Sequence, residues 1–221
     1  MRYIVKIEEI IPVTHDVKCF RMESPAGFTF LPGQATDLSV NRPGMEGDLR
    51  PFTFTALTGK PYLEFTIKRY PEHQGVTDLL HRLQPGDELI IGEPWGAIAY
   101  SGPGYFIAGG AGITPFIAIL RNLYEDNKIA GNRLIFSNKT AGDIIYEDEL
   151  FKMLGTNSKF ILTRDQKSGY ESGRIDEKLI KKYVSDFSSR FYVCGPDPMV
   201  NEIVNTLQTL GASVDSLVFE K

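Results

Sequence analysis

The stretch Tyr105-Phe-Ile-Ala-Gly-Gly-Ala-Gly-Ile-Thr-Pro115 decides the fold of this 221-residue chain. Its first four residues are typical of a buried strand, and they lead directly into a glycine turn and then a helical pattern. Glycines let the backbone turn tightly and come close to a bound phosphate. Thr114 suits the N-cap of the helix and Pro115 its first residue, so the helix N-terminus would face an anion. The stretch predicts an anion-binding strand–turn–helix unit, with a tight turn that holds no ligand as the alternative.

Apolar strands and amphipathic helices alternate from residue 102 onward. This order is typical of a doubly wound α/β domain, in which a parallel sheet carries helices on both faces. The predicted strands are 105–108, 133–137, 159–163, 191–194 and 217–219, and the predicted helices are 115–124, 146–154, 176–184 and 199–210.

The preceding residues show a different pattern, of short strands separated by turns. The predicted strands are 3–10, 16–22, 34–40, 51–56, 62–67 and 88–91, with one helix over 75–83. Six such strands favour a small antiparallel β-barrel. We therefore expect two domains, a barrel over residues 1–101 and an α/β domain over residues 102–221.

Composition excludes several classes of protein. A net charge of −4 gives no global reason to bind nucleic acid or an anionic membrane. The two cysteines, Cys19 and Cys194, cannot form a four-cysteine zinc or iron–sulfur site, and no metal site is predicted. The first ten residues lack a signal-peptide pattern. The uncharged stretch 101–120 contains too many glycines and prolines for a membrane span. We expect a soluble protein of the reducing cytoplasm.

A second motif, Tyr192-Val-Cys-Gly-Pro-Asp-Pro-Met199, follows the fourth strand of the α/β domain. It lies at the same carboxyl edge of the sheet as the glycine turn, and ligands of open α/β sheets bind at that edge. Cys194 would point into the crevice there, although a cysteine that ends a buried strand, taken alone, more often serves packing than chemistry.

Two further motifs lie in the barrel. In Arg50-Pro51-Phe52-Thr53, a guanidinium suited to a pyrophosphate shares a strand face with an aromatic ring. Gly75-Val76-Thr77 opens the barrel helix and offers backbone N–H groups to a second phosphate. Taken singly, they are better explained by an exposed arginine on an ordinary strand and by plain helix capping.

In this order, the four motifs resemble the ferredoxin–NADP⁺ reductase superfamily, in which a flavin-binding barrel precedes a nicotinamide-binding α/β domain. The family's Arg-x-Tyr/Phe-Ser/Thr motif is matched at residues 50–53, and its Cys-Gly-x-x-x-Met motif at residues 194–199. Gly75-Val76-Thr77 resembles the family's Gly-x-x-Ser/Thr, with the hydroxyl one place early. The resemblance extends from residue 3 to residue 219 and implies an NAD(P)H-dependent oxidoreductase that holds FAD, with FMN as an alternative.

The resemblance also implies site residues. Thr53 would hydrogen-bond flavin N5 and Cys194 would lie beside nicotinamide C4, which makes them the predicted catalytic residues. The predicted flavin-binding residues are Arg50, Pro51, Phe52, Thr53, Ile67, Lys68, Gly75, Val76, Thr77 and the C-terminal aromatic Phe219. The predicted nucleotide-binding residues are Gly110, Gly112, Thr114, Gly195, Pro196, Asp197 and Met199. Asp215 and Glu220 are candidates for a carboxylate that assists proton transfer.

The nucleotide and the electron acceptor are less closely defined. Ser137, Asn138 and Lys139 follow the second strand without an acid, and Arg164 follows the third, which favours NADPH over NADH. The acceptor must be separate from a chain with two cysteines, and a ferredoxin or flavodoxin is the first expectation. Lys68-Arg69, His81-Arg82 and Arg42 could form a basic patch for an acidic carrier. A reductase of free flavin, quinone or iron, or a subunit active only inside a complex, remains as an alternative.

Overall fold

The computed structural model describes residues 1–73, 75–96, 98–213 and 217–219, and it contains two β-sheets. The elements of the first part are β1 (Tyr3–Pro12), β2 (Val17–Glu23), β3 (Gln34–Val40), β4 (Arg50–Thr53), β5 (Tyr62–Lys68), α1 (Val76–Leu80), β6 (Glu88–Ile91) and β7 (Trp95–Gly96). Those of the second part are β8 (Gly104–Gly109), α2 (Thr114–Glu125), β9 (Arg133–Asn138), α3 (Glu147–Leu154), β10 (Ser158–Leu162), β11 (Glu171–Ser172), α4 (Glu177–Tyr183), β12 (Arg190–Cys194), α5 (Asp197–Thr209) and β13 (Leu217–Phe219).

The first sheet is antiparallel and curls into a barrel. Its strand order is β4-β3-β6-β1-β2-β5, and β7 pairs with β3. An isolated bridge between Phe54 and Phe65 joins the end of β4 to β5, and the Thr55 N–H donates to the Glu64 carbonyl at 2.8 Å. These contacts connect the two ends of the sheet around a core that includes the fully buried Phe20. The predicted antiparallel barrel is confirmed.

The second sheet is parallel, with the order β11-β10-β9-β8-β12-β13. Side chains that alternate along β8 feed two separate cores. Phe106 packs on the α2 and α3 side, where its ring stacks on Tyr192 with centroids 4.5 Å apart. Tyr105 packs on the α4 and α5 side, against Phe191. Helices therefore cover both faces, and the predicted doubly wound domain is confirmed.

Two predicted elements end three residues earlier in the structure than the sequence pattern indicates. The helix predicted over 75–83 is limited to Val76–Leu80, because Pro85 and Gly86 begin the turn that leads into β6. The strand predicted over 51–56 ends at Thr53, because the chain leaves β4 at that point to bridge to β5.

The two domains meet at a buried ion pair. Arg121 of α2 donates from Nη1 to Glu64 Oε1 of β5 at 2.6 Å, and the Glu64 side chain is only 3% exposed. Glu64 Oε2 accepts from Arg21 Nε at 3.0 Å, and Glu64 Oε1 also accepts from the Thr55 hydroxyl at 3.0 Å. The carboxylate thus has partners from both domains.

Burial of Glu64 by itself raises the pKa of its carboxyl group. The charge and hydrogen bonds of Arg121, with those of Arg21 and Thr55, outweigh burial, so the pKa lies below its ordinary value of 4.5. A carboxyl group whose pKa is lower in the folded state stabilises that state above its unfolded pKa. The contribution is lost as the pH falls through the folded pKa.

We predict that wild-type protein loses free energy of unfolding more steeply than Glu64→Gln between about pH 5 and pH 3. At neutral pH the substitution should cost about 3 kcal/mol, because it removes one partner of a buried ion pair. Urea titrations across this pH range provide the measurement. Glu177→Gln, in an exposed pair with Lys181, is the control and should leave the slope unchanged. Equal slopes for wild type and Glu64→Gln would contradict the assignment.

Candidate nucleotide and flavin site

A cleft of about 660 Å³ lies at the carboxyl edge of the parallel sheet, where the barrel meets the α/β domain. It brings together predicted residues from three separate parts of the chain, namely Lys68, Gly110, Gly112, Thr114, Cys194, Gly195, Pro196 and Met199. The other lining residues are Tyr70, Gly109, Ala111, Ser137, Asn138, Lys139, Asp143 and Thr163. Barrel and α/β domain therefore face each other across one cavity.

The glycine turn itself is helical. Residues Gly110–Ile113 form a 3₁₀ turn that runs directly into α2 at Thr114, with Pro115 in the first helical turn. The prediction of Thr114 as N-cap is wrong, because its hydroxyl donates to the Ala111 carbonyl at 3.0 Å, inside the turn. The helical path therefore begins at Gly110, five residues before the helix start at Pro115 that the sequence pattern predicts. The first N–H groups of a helix have no intrahelical acceptor, and here they lie at the cleft.

The glycine turn and the loop after β12 touch through their backbones. A Cβ atom on Gly112 would lie 2.5 Å from the Cys194 carbonyl oxygen and 2.6 Å from Gly195 Cα. A Cβ atom on Gly109 would lie 2.4 Å from Met199 Sδ. Gly110 differs, since its φ of +53° is left-handed but the space around it is open. Residues 109 and 112 are thus glycines because of close packing, whereas residue 110 is a glycine because of its backbone conformation.

Cys194 ends β12 and pairs in register with Ala108 of β8, the strand that enters the glycine turn. Cys194 is 4% exposed and packs with the core on the α2 side of the sheet. It also lines the cleft beside Gly195. Asp197 is exposed as the first residue of α5 and does not belong to the described cleft lining. The catalytic assignment of Cys194 remains a prediction.

Asn138 fits a polar ligand. It is 5% exposed, it lines the cleft, and neither its side-chain oxygen nor its side-chain nitrogen has a hydrogen-bond partner among the described residues. Its backbone carbonyl accepts from the Thr163 N–H at 2.9 Å, and the Lys139 carbonyl accepts from the Arg164 N–H at 2.8 Å. A buried amide without a partner is costly unless something binds it, so this edge of the cleft suits the hydroxyl-rich part of a nucleotide.

The flavin motif lies on β4 in the barrel, outside the described cleft lining. Arg50 is exposed and donates to the Leu49 carbonyl at 2.7 Å, while Phe52 and Thr53 are half-buried. An exposed guanidinium followed by a half-covered ring and hydroxyl suits a pyrophosphate joined to a flat ring system. β4 also borders β5 through the Phe54–Phe65 bridge, which places the motif beside the strand that ends at Lys68.

Other predicted flavin residues lie near the same end of the barrel. Gly75, Val76 and Thr77 form the start of α1, and no side chain caps that helix. The Ile67 carbonyl hydrogen-bonds His81 Nε2 at 2.8 Å, so it is already engaged within the barrel. Lys68 Nζ lies 2.5 Å from Asp16 Oδ2, and this ion pair outweighs the burial that would raise the pKa of Asp16, so the pKa is lowered.

The rim of the cleft carries one more contact between the domains. His15 Nε2 lies 3.6 Å from Asp16 Oδ2 and 3.8 Å from Asp143 Oδ1. Asp143 also accepts from the Thr140 N–H and hydroxyl, at 2.8 and 2.6 Å.

Three lining residues, Tyr70, Asp143 and Thr163, were not predicted. Thr163 directly follows β10, and Tyr70 stands two residues beyond β5. A position just after a strand is therefore the signal that could have identified these two residues.

The C-terminal predictions lie outside the described residues. The backbone of Phe219 belongs to β13, which pairs with β12, but the Phe219 side chain is outside the description. Asp215 and Glu220 lie outside it entirely. Among the described helices, none is both long enough and apolar enough to cross a lipid bilayer.

A barrel with a flavin-type motif, joined across a cleft to an α/β domain with a glycine turn at its sheet edge, defines a two-domain flavin- and nicotinamide-dependent oxidoreductase. Residues 4–100 match the family model of the oxidoreductase FAD-binding domain, and residues 106–205 match that of the oxidoreductase NAD-binding domain. The chain belongs to the ferredoxin–NADP⁺ reductase superfamily. The resemblance of the motifs and the predicted FAD and nicotinamide cofactors are thereby confirmed.

Named relatives agree with this assignment. NADH-cytochrome b5 reductase 2 of Rattus norvegicus is 30% identical, over 74% of this chain and 70% of its own length. The reductase component of propane 2-monooxygenase from Rhodococcus jostii is 28% identical, over 98% of this chain. The chain spans 62% of that relative's length. A ferredoxin–NADP⁺ reductase from Neisseria gonorrhoeae, with bound FAD and NADP, shares the fold with a TM-score of 0.84, 21% identity and coverage of 99% and 98% of the two chains.

Alanine substitutions at Gly110 and Gly112 should distinguish the effect of close packing from the effect of backbone conformation. We predict that Gly112→Ala destabilises the protein by about 3 kcal/mol and greatly weakens nucleotide binding, because two backbone segments must move apart. Gly110→Ala should cost about 1 kcal/mol, the price of a left-handed alanine, with a smaller effect on binding. Urea unfolding and titration with NADPH and NADH measure both effects. Equal losses in the two variants would contradict the backbone contact.

Proposed function

We propose that this chain takes a hydride from NAD(P)H onto FAD and passes the electrons to a separate carrier, as the reductase component of a multi-component redox system. One observation carries the proposal: a single cleft joins Lys68 and Tyr70 of the barrel to the glycine turn and Cys194 of the α/β domain. Such a cleft lets a flavin held by one domain meet a nicotinamide held by the other. The Rhodococcus relative is the reductase component of propane 2-monooxygenase, which supports the same role.

FAD supplies the chemistry when bound, because it accepts two electrons together and releases them singly. The chain's own residues would bind and orient FAD and the nicotinamide nucleotide. The Arg50 guanidinium binds the pyrophosphate, Phe52 covers the ring system, and the Thr53 hydroxyl hydrogen-bonds the ring edge. On the opposite side, backbone N–H groups at Gly110 and Gly112 bind the nucleotide phosphates.

Cys194 packs beside the nicotinamide and excludes water from the reacting faces. These residue roles are part of the proposal, and they assign positioning to the protein.

We propose that the carrier is a protein with a one-electron centre. A ferredoxin or a flavodoxin is the first candidate. The basic patch that we predicted for an acidic carrier is partly neutralised, since Asp78 offers one negative charge to two arginines. Arg69 and Arg82 both pair with Asp78, at 2.7 and 2.5 Å, and Arg42 pairs with Asp87 at 2.9 Å. His81 is buried at 9% exposure. Charge attraction at this patch is therefore weak, and we propose that shape and apolar contact contribute more to docking. A cytoplasmic location remains a prediction.

The deciding experiment is anaerobic reduction of the purified, flavin-loaded protein by NADH and NADPH in parallel, followed by addition of acceptors. Lys139 lines the cleft and favours NADPH, whereas the rat relative is named an NADH enzyme, so the ratio of the two reduction rates decides the nucleotide. Rapid reoxidation by ferredoxin or flavodoxin supports the proposal. Reoxidation by free FMN, a quinone or a ferric chelate alone identifies a small-molecule reductase instead.

Flavin retention tests the role of Arg50. We predict that purified protein is yellow, that it releases FAD on denaturation, and that Arg50→Ala retains FAD at least about tenfold more weakly, since a charge-assisted bidentate contact is lost. Absorbance and dialysis against FAD-free buffer provide the measurement. Arg190→Ala is the control, because this exposed arginine lies at the amino end of β12 in the other domain. Unchanged retention in Arg50→Ala would refute the assigned role.

Anaerobic flavin reduction tests the role of Cys194. We predict that Cys194→Ala keeps its FAD but is reduced about tenfold more slowly, because the nicotinamide loses a packing surface at the reacting face. Cys19→Ala is the matched control. Burial and the nearby Glu64 carboxylate raise the pKa of the Cys19 thiol to about 12, and this thiol lies outside the described cleft lining. Equal rates for wild type and Cys194→Ala would place Cys194 among the packing residues.

A further inference from the structure

Arg121 connects the two domains and does not belong to the described cleft lining. Its Nη1 donates to Glu64 Oε1 and to the Thr55 carbonyl of the barrel, both at 2.6 Å. Its Nε and Nη2 donate to the two carboxylate oxygens of Glu149 in α3, at 2.6 and 2.9 Å. One planar guanidinium thus binds the barrel with one nitrogen and its own domain with the other two.

Tyr146 adds a second connection. Its ring lies under the Arg121 guanidinium, with 4.9 Å between the ring centroid and Cζ, and its hydroxyl lies 3.0 Å from Thr66 Oγ1 of β5. Tyr146 has a φ of +54° and a ψ of 39°, a left-handed backbone that is rare for an aromatic residue. Such strain persists only where the surroundings impose it. The backbone before α3 is held in this conformation so that the ring and hydroxyl reach the interface.

The elements that carry this network lead to both sides of the cleft. Glu64 and Thr66 lie on one face of β5, the strand that ends at the cleft residue Lys68. Arg121 stands on α2, seven residues or about 10 Å beyond the first helical residue, Thr114, which also lines the cleft. A strand and a helix are stiff over such distances. A shift at the network therefore moves the flavin side and the nucleotide side of the cleft relative to each other.

We propose that Arg121, with Glu64 and Tyr146, is a positioning residue that fixes the separation and angle of the flavin-bearing strand and the nucleotide-bearing helix. The inference rests on the proposed function. Arg121 touches neither reacting group and acts through β5 and α2. A buried ion pair contributes little to net stability but tolerates little displacement, because displacement leaves charges buried without partners. The guanidinium fork is required, since a lysine ammonium cannot serve the barrel and Glu149 together in this planar geometry.

The test uses full-length, FAD-loaded Arg121→Met and Arg121→Lys, with Arg21→Met as the matched control. Arg21 also binds the Glu64 carboxylate, but from within the barrel. At saturating nucleotide, Arg121→Met should reduce its flavin about 100-fold more slowly, the loss expected from misplacement of the reactants by about 1 Å. Nucleotide affinity and FAD content should stay near wild type. Arg121→Lys, the variant less prone to misfolding, should show an intermediate loss of rate.

Hydrogen exchange in the FAD-free protein gives a readout that does not depend on turnover. Both Arg121 variants should exchange faster than wild type in residues 62–68 and 114–125 together, whereas Arg21→Met should change the barrel segment alone. If wild type itself is not reduced by NAD(P)H, the proposed function fails, while the exchange result still tests the positioning role of Arg121. The proposal is overturned if the Arg121 variants fold, keep their FAD and are reduced at the wild-type rate. It is equally overturned if Arg21→Met slows reduction as much as Arg121→Met.

Discussion

The contact between the Glu64 carboxylate and the Arg121 guanidinium is the constraint on which the functional geometry depends. The barrel and the α/β domain each have a core of their own, and apolar packing between them, as at Val17 and Ile98, is non-directional. The ion pair adds direction, because only one docking angle gives the carboxylate all its partners. Hydride transfer between ligands held by separate domains needs such an angle, since small displacements cost large factors in rate.

The second constraint is the backbone contact between the glycine turn and the loop after β12. The two loops follow neighbouring strands, β8 and β12, at the point where the chain changes its direction of winding through the sheet. Close approach at Gly112 leaves no room for a side chain, so the backbone of the glycine turn and Cys194 hold one fixed relation. The ion pair between Glu64 and Arg121 orients one domain on the other. The backbone contact at Gly112 orients the glycine turn relative to Cys194.

Most of the fold is predictable from short-range pattern. Tyr105–Pro115 encodes strand, turn and helix within eleven consecutive residues, and the barrel strands are marked by alternation and turn residues. The site is predictable where a motif is local, as at Gly110, Gly112 and Cys194. Arg121 and Glu64 escape prediction because they are 57 residues apart and nothing beside either one marks a partner. The same reason explains the basic patch: Arg69, Arg82 and Arg42 are visible in the sequence, but their pairing with Asp78 and Asp87 is not.

The pairing of β1 with β6 has a consequence for biosynthesis. Residues 3–6 pair with residues 88–91, so β1 has to wait for the synthesis of β6 before this part of the sheet can form. Domains fold as units during synthesis, the N-terminal one first. The barrel segment is made before α2, so during that interval Arg21 is available to the Glu64 carboxylate and Arg121 is not. When α2 docks on the barrel, Arg121 becomes the second cationic partner of the Glu64 carboxylate.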